Sequence, residues 1–243
     1  MKKLLTILAL VFALSWSLPA SAQEFSFGAD IVSRYVWRGF DFGESASVQP
    51  SLAFSHGGLE IGTWASYATN PGSADANEHD LWIGYSAGAF SVGITDYYFP
   101  NATHEEHDHD HDEHEDEETI GFFDFSGDGE GAHWIEPYVS FGGTDSFPVT
   151  LYAAYMAHND VDNSLYLNAS VPFTVGEVEM SFGIGASAGK SAFYATDGFS
   201  IIDMVLGASK SIPITDKFEL PVSVSYILNP THEKSYLVFG ISL

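Results

Sequence analysis

The feature that most constrains the fold is an alternation of apolar and polar residues that continues along almost the whole chain after residue 23. Apolar and aromatic residues recur at every second position, and the residues between them are mostly Gly, Ser, Thr and Tyr with scattered acids. Because side chains of a β-strand point alternately to opposite faces, this pattern predicts an all-β protein. We predict twelve strands: a first from Ser26 to Arg38, and others at Val48 to Phe54, Leu59 to Tyr67, Asp80 to Ala87, Phe90 to Tyr98, Trp134 to Phe141, Val149 to Met156, Ser164 to Val171, Val178 to Ala186, Ser200 to Ala208, Phe218 to Ile227 and Ser235 to Leu243.

The connections between these segments alternate between short and long. Such an alternation is typical of outer-membrane barrels, which have short periplasmic turns, long extracellular loops and no open sheet edge in the lipid. We therefore predict an antiparallel transmembrane up-and-down β-barrel of about 12 strands in the outer membrane of a Gram-negative bacterium. The short connections lie near 55–58, 87–89, 142–145 and 172–176, and the long ones are predicted at 39–47, 69–79, 99–133, 157–163, 187–199 and 228–234.

A soluble periplasmic sandwich or lipocalin-like barrel would also show alternating residues. The polar face of such a protein would be a charged surface rich in Lys, but the chain has only four Lys after residue 23. Residues that are polar but uncharged suit the lumen of a membrane barrel better. The composition therefore favours the membrane barrel.

The first 22 residues have the layout of a secretory signal peptide. Lys2 and Lys3 precede an apolar run, and Ala20-Ser21-Ala22 provides small residues for cleavage. An uncleaved anchor is the alternative, but the apolar run is short for a spanning helix. The sequence thus predicts a signal peptide over 1–22 and a barrel over 23–243.

The charge and the composition exclude several classes of function. The formal net charge of −25 disfavours nucleic-acid binding, which depends on Lys and Arg at the phosphate backbone. The absence of Cys excludes thiol catalysis and thiolate metal sites. The only loose set for a hydrolase is His158-Asn159-Asp160 with Ser164, and Asn and Asp are ordinary turn residues. We therefore predict that the protein is not an enzyme.

Two short segments resemble a known family. Ser33-Arg34-Tyr35-Val36-Trp37-Arg38-Gly39 resembles the S-x-Y-x-x-R-G opening motif of the TorF-type porin family (the Gcw_chp group), and Gly62-Thr63-Trp64-Ala65-Ser66 resembles its G-x-W-x-S motif. The similarity is strongest over about residues 25 to 100. The resemblance implies a bacterial outer-membrane β-barrel.

If the apolar faces meet lipid, the acids and both Arg residues of the protein point into the lumen. The two Arg residues then either brace a narrow barrel or line a constriction that selects solutes by charge. We predict a porin-like channel for passive diffusion of cations or small neutral solutes such as sugars. The alternative is a non-conducting structural or surface-interaction barrel. The predicted pore-lining residues are Arg34, Arg38, Glu60, Trp64, Asp80, Glu136, Tyr138, Glu179 and Glu219.

The insertion at 100–132, an extracellular loop in this topology, contains a stretch rich in His and acids. Residues 104–118 include five His and ten acids. Imidazole binds Zn, Ni and Cu(II), and carboxylates add oxygen ligands, so the stretch predicts capture of these divalent metals. An acidic solvated loop is the alternative, and no cofactor is required in either case. The predicted metal ligands are His104, His107, His109, His111 and His114.

The expected partners follow from the predicted location. They are outer-membrane lipid, small solutes or divalent cations, and the barrel-insertion machinery during biogenesis. The apolar residues at every second position of the last strand, Leu237, Phe239, Ile241 and Leu243, suit recognition by that machinery.

Overall fold

The computed structural model describes residues 23–102 and 120–243, so the predicted signal peptide and the predicted metal ligands lie outside the described residues. Within this part of the chain, twelve strands close into one antiparallel barrel, while β2 pairs only with β3 and β12 only with β13. A 3₁₀ helix, Pro71–Ala76, lies in the connection after β5. The strands are β1 (Glu24–Val32), β2 (Tyr35–Trp37), β3 (Phe40–Phe42), β4 (Ser47–His56), β5 (Leu59–Ala68), β6 (Glu78–Ala87), β7 (Phe90–Tyr98), β8 (His133–Phe141), β9 (Thr150–Tyr155), β10 (Leu165–Val175), β11 (Val178–Ser187), β12 (Lys190–Ser191), β13 (Thr196–Asp197), β14 (Ser200–Thr215), β15 (Phe218–Asn229) and β16 (Lys234–Ser242).

The barrel confirms the predicted all-β antiparallel fold. Each barrel strand pairs with the next barrel strand along the chain, and β16 returns to β1 with Ile31 opposite Ile241. Closure leaves no unpaired sheet edge along the ring of strands. Among the described residues, no helix is both long and apolar enough to cross a membrane.

The outer face of the barrel is apolar and exposed. Phe27 is 86% exposed, and exposed aliphatic and aromatic side chains recur at every second residue of most barrel strands. The residues between them point inward, and in the half of the barrel near the short turns they are mostly Gly, Ser and Thr. The register of the strand pairs keeps each class on one side, because a shift of one residue would exchange the two faces.

The connections mostly follow the predicted pattern. At one end of the barrel, tight turns join the strands except at 142–149, between β8 and β9. At Gly57-Gly58 both residues have positive φ values of 58° and 88°, as a type I′ hairpin turn requires. At the other end, long connections join β1 to β4, β5 to β6, β7 to β8 and β11 to β14. We call these the turn end and the loop end. The predicted long connection at 228–234 is wrong, since β15 and β16 are separated only by residues 230–233.

The prediction of one strand from Ser26 to Arg38 is also wrong. β1 ends at Val32, and Ser33 then makes hydrogen bonds to Phe239 through both its backbone N–H and its side-chain oxygen. The chain next turns into the lumen as the β2–β3 hairpin. One continuous strand would have placed Tyr35 and Trp37 on the lipid-facing side with Phe27. They lie inside the barrel instead, with Tyr35 only 8% exposed.

A second connection also folds inward. Residues 188–199, which contain β12 and β13, carry Tyr194 into a buried cluster with Tyr166 and Ile202. A β-bulge at Gly185/Ala186 in the pairing of β11 with β14 leaves Ile202 without a partner in the register, and this residue is fully buried. The bulge thus turns an apolar side chain inward at the position where the loop needs a packing surface.

Candidate functional site in the barrel lumen

The β2–β3 hairpin turns at Arg38-Gly39, between the paired residues Trp37 and Phe40. Arg38 has φ 49° and Gly39 has φ 82°, so both central residues are in the left-handed region, as a type I′ turn requires. A Cβ atom added to Gly39 would lie 2.1 Å from the backbone oxygen of Ile202. The tip of the hairpin therefore contacts the barrel wall directly, and only Gly fits at this position.

Arg38 is the centre of a buried polar cluster. Its Nη1 and Nη2 atoms donate hydrogen bonds of 2.6 and 2.7 Å to the two carboxylate oxygens of Glu136, and its Nη1 also donates to the hydroxyl oxygen of Tyr194. Its guanidinium lies over the rings of Trp37 and Tyr166, at 4.2 and 4.1 Å from their centroids. The Arg38 side chain is 7% exposed and that of Glu136 is 1% exposed.

The surroundings keep Arg38 charged. Burial alone would lower the pKa of Arg38, but the neighbouring Tyr194 and Glu136 hold the pKa well above its ordinary value. A buried charge of this kind is stable only when it is paired and its hydrogen-bond donors are satisfied. The two-bond pair with Glu136 meets that condition.

Tyrosine hydroxyls complete the hydrogen bonding of the acids around this pair. Glu136 accepts further bonds from Tyr97 at 2.9 Å and from Tyr152 at 3.4 Å. The hydroxyl of Tyr166 donates to Asp203 at 2.9 Å. On the hairpin itself, the hydroxyl of Tyr35 donates to Glu78 at 2.9 Å, and burial together with Glu78 raises the pKa of Tyr35 well above its ordinary value.

Aromatic rings of the inward segments and the barrel wall pack against one another in the lumen near the loop end. The ring of Trp37 packs edge to face on Phe193, with centroids 5.9 Å apart, and Phe193 contacts Trp134 at 4.9 Å. Trp37 also contacts Tyr97 on the barrel wall at 5.6 Å. We call the two inward segments, residues 34–42 and 188–199, the plug. The plug packs against the barrel wall inside the lumen at the loop end.

The lumen near the turn end is open by contrast. Inward-facing serines such as Ser86, Ser181 and Ser209 are exposed there. One cavity of about 440 Å³ lies beside Glu60 and Tyr138, and another of about 680 Å³ lies beside Glu179. Exposed hydroxyls on an inner wall indicate a water-filled space.

The structure separates the predicted pore-lining residues into groups. Arg38 and Glu136 lie together at the plug, and Trp64 and Asp80 lie next to it, with the ring of Trp64 5.3 Å from that of Tyr35. Glu60, Tyr138 and Glu179 border the two open cavities. Arg34 lies at the start of the plug, where it is partly exposed and pairs with Asp41. Glu219 lies elsewhere, exposed near the turn of the β14–β15 hairpin.

Asn159, Asp160 and Ser164, considered above for a hydrolase site, form hydrogen bonds within and between the loops. Asn159 accepts a bond from Gly129 and donates one to Gly131, and Asp160 accepts the backbone N–H of Ser164. The Ser164 hydroxyl meets the hydroxyl of Ser191 at 2.5 Å. In the described part of the chain, no group of three or more His and acidic residues could hold a metal ion.

Sequence reasoning missed the plug residues Phe193 and Tyr194. It placed 187–199 among the polar extracellular loops, although Phe193-Tyr194 is an aromatic pair that a solvated loop would leave exposed. Two local signals could have indicated inward segments: this aromatic pair, and the Arg-Gly dipeptide of the type I′ turn at Arg38-Gly39.

Comparisons with known proteins give one relation. A family model described as a bacterial protein of unknown function (Gcw_chp) matches residues 17–238. A comparison with curated proteins finds no significant match. The matched region includes the barrel strands from β1 to β15, the plug and the S-x-Y-x-x-R-G residues that form its tip. The chain therefore belongs to the Gcw_chp family of bacterial proteins of unknown function.

Proposed function

We propose that the protein is an outer-membrane channel of a Gram-negative bacterium, porin-like, for passive diffusion of small solutes, and that the plug holds it closed. The apolar outer face supports the membrane location. Side chains such as Phe27, Leu52 and Phe239 are at least half exposed, and a continuous apolar belt of this size is costly in water but stable in lipid.

The observation that supports a channel best is the contrast between the two halves of the lumen. A barrel with a purely structural role can fill its interior with side chains along its whole length. Here the half near the turn end keeps exposed serines and cavities of about 440 and 680 Å³, and only the inward loops close the other half. Because loops and not the barrel wall occupy this half of the lumen, a movement of the loops would open the passage.

Single-channel recording in a planar bilayer tests the proposal. Replacement of residues 34–42 by a Gly–Ser linker removes the part of the plug that contains Arg38. We expect this variant to show larger and more frequent conductance steps than the wild type. The same linker in place of Pro71–Ala76, outside the plug, is the matched control and should behave like the wild type. A folded variant without the hairpin that carries no current would contradict the channel.

A non-conducting barrel is the second candidate, and the buried Arg38–Glu136 pair favours it. A pair with 7% and 1% exposure is costly to open, so the plug of such a barrel would be permanent. The recording above separates the two candidates. In neither case do we propose catalysis.

Topology on the cell surface tests the proposed location. An epitope inserted in 104–118 should be reached by antibody on intact cells, and one at Gly142-Gly143, at the turn end, should not. The reverse result would contradict the proposed orientation. The partners proposed with this location are outer-membrane lipid and the insertion machinery.

We also propose that the stretch 104–118 captures divalent transition metals. The support for this proposal is the sequence of the stretch. The structure describes only the residues on either side of it, where the backbone N–H of Ile120 donates a hydrogen bond of 2.8 Å to Ala102. Metal binding needs neutral imidazole, so affinity should fall as the pH drops. Calorimetry with Zn²⁺ on the wild type and on a variant with His104, His107, His109, His111 and His114 changed to Asn tests it. Equal binding by both proteins would exclude the His residues.

A further inference from the structure

We propose that the cavity beside Glu60 and Tyr138 is a binding site for neutral carbohydrate. This inference rests on the proposed channel function and names the solute class that the lumen accepts. It follows from how two aromatic rings lie on the inner wall, from the polar groups around them and from the charge of the cavity.

The first ring belongs to Trp82 on β6. Its partner across the β5–β6 pair is Gly62, and a Cβ atom added to Gly62 would lie only 2.1 Å from the Trp82 ring. The ring therefore lies flat on the backbone of β5, a position that any larger residue than Gly would block. The indole Nε1 donates a hydrogen bond of 2.9 Å to Glu60, which fixes the plane of the ring. The indole is half-buried and adjoins the cavity through Glu60, which lines it.

The second ring belongs to Tyr138 on β8. A Cβ atom added to Gly93, its partner on β7, would lie 2.5 to 2.7 Å from the hydroxyl and the ring of Tyr138, and one added to Gly84 would lie 2.8 Å from the hydroxyl. This ring thus also lies flat on a wall of Gly residues. The face of an aromatic ring carries partial negative charge, and the C–H groups on the flat side of a pyranose carry partial positive charge. The Tyr138 ring is half-exposed, and rings of this kind stack on sugars.

The polar groups around the rings suit hydroxyl ligands. The carboxylate of Glu60 is exposed and accepts hydrogen bonds, while Ser86 and Ser91 form a hydroxyl pair at 2.8 Å on the same wall. Ser140 adds another hydroxyl to the lining. The cavity volume of about 440 Å³ is within the usual range of about 300–1,000 Å³ for small-molecule sites.

The charge of the cavity selects against anionic sugars. Its described lining contains Glu24, Glu60 and one His, His56, but neither Lys nor Arg. A phosphorylated or acidic sugar would meet two carboxylates there without a Lys or Arg to compensate them. We therefore assign the site to neutral sugars.

The rings continue toward the plug. Tyr138 is stacked with Tyr152 at a centroid distance of 5.6 Å, and Tyr152 meets Tyr166 at 6.3 Å. Tyr166 lies under the Arg38 guanidinium. A sugar bound at the turn end thus has a path of aromatic contacts up to the plug.

Calorimetry on the purified full chain tests the inference. The detergent must carry no sugar headgroup, so lauryldimethylamine oxide is used, and the probes are maltose, glucose 6-phosphate and sorbitol. We expect saturable binding of maltose, at least tenfold weaker binding of the phosphorylated sugar, and no binding of sorbitol, which has hydroxyls but no rigid apolar face. Trp82→Ala should weaken maltose binding at least tenfold. Tyr85→Ala removes a ring from the outer face of the same strand and should leave binding unchanged.

Three results would overturn the assignment. These are the absence of maltose binding by the wild type, a Trp82→Ala affinity within twofold of the wild type, or equal binding of sorbitol. If Trp82→Ala does not give a folded, heat-modifiable band, Glu60→Gln replaces it, since this variant keeps an oxygen for Trp82 but loses the charge. Its maltose affinity should fall severalfold, because charge-assisted hydrogen bonds are the stronger ones, and an unchanged affinity would refute the site.

The test also separates this inference from the channel. The cavity lies at the turn end, away from the plug, so maltose can reach it while the plug is docked. Binding can therefore be measured on a barrel that carries no current. A barrel that binds maltose but never conducts would contradict the channel alone, and a conducting barrel without maltose binding would contradict the carbohydrate site alone.

Discussion

Removal of the Glu136 carboxylate should release the hairpin from the lumen. Glu136→Ala leaves Arg38 with the Tyr194 hydroxyl and the rings of Trp37 and Tyr166 as its remaining contacts. The Arg38 guanidinium stays charged in this variant, since an Arg side chain does not lose its proton in proteins. A buried charge that has lost its hydrogen-bonded carboxylate is more stable in water, so the hairpin should undock with it.

The structure sets the size of this effect. Removing one partner of a buried ion pair costs about 3–5 kcal/mol. At about 1.4 kcal/mol for each factor of ten, this shifts the equilibrium between docked and undocked hairpin by about 100- to 4,000-fold. The converse change, Arg38→Ala, should cost less, because Glu136 keeps the hydroxyls of Tyr97 and Tyr152 as donors.

An arginine-specific protease measures the undocking. Arg34 and Arg38 are the only Arg residues of the chain, and both lie in the hairpin segment. Cleavage after Arg38 therefore reports the open population when opening is fast relative to cleavage. We expect Glu136→Ala to raise this rate at least 100-fold, together with an increase in conductance. Glu60→Ala, which removes a lumen acid that does not contact Arg38, is the control. A folded Glu136→Ala barrel that is cut after Arg38 no faster than the wild type would refute the role of the pair.

Three further predictions concern the plug. Gly39→Ala should also speed cleavage after Arg38, because its Cβ would meet the Ile202 oxygen at 2.1 Å and φ is 82°. Burial raises the pKa of Tyr194 to about 12. The neutral hydroxyl therefore stabilises the folded protein below about pH 10, and this stabilisation is lost as the pH rises toward 12. Tyrosinate absorbance should show the late titration. The backbone N–H of Ala192, and then Lys190, lower the pKa of Asp162. Residues 188–199 should therefore stay ordered above about pH 4 and lose this order at more acidic pH. Hydrogen exchange at Ala192 in the wild type and in Asp162→Asn measures this.

The strands of the barrel could be predicted because their signal is local. Alternation placed eleven of the twelve barrel strands within a few residues at most ends, since each side chain must face either the apolar surroundings or the lumen. The ends of β10, β14 and β15 extend further than predicted. These extensions follow from pairing with a neighbouring strand, and a partner is not visible in the strand's own sequence.

The plug could not be predicted because its signal is not local. The alternation of β1 continues through Tyr35 and Trp37, and nothing within that segment shows that Ser33 hydrogen-bonds to Phe239 instead of continuing the strand. The space into which the hairpin folds exists only after the barrel has closed. Likewise, Glu136 was predicted to point inward, but its pairing with Arg38 spans 98 residues of sequence.

In the proposed channel, the placement of both Arg residues within the plug determines the charge of the open passage. The lumen around Arg38 is lined by Glu78, Glu136 and Asp203, and the barrel strands offer no Arg to compensate these acids. While the hairpin is docked, its guanidinium supplies the countercharge. In the proposed channel, departure of the hairpin would leave these acids without an Arg countercharge, and the wall would then attract cations, admit neutral solutes and repel anions. On this proposal the Arg38 charge stabilises the closed state, and its removal on opening sets the selectivity of the passage.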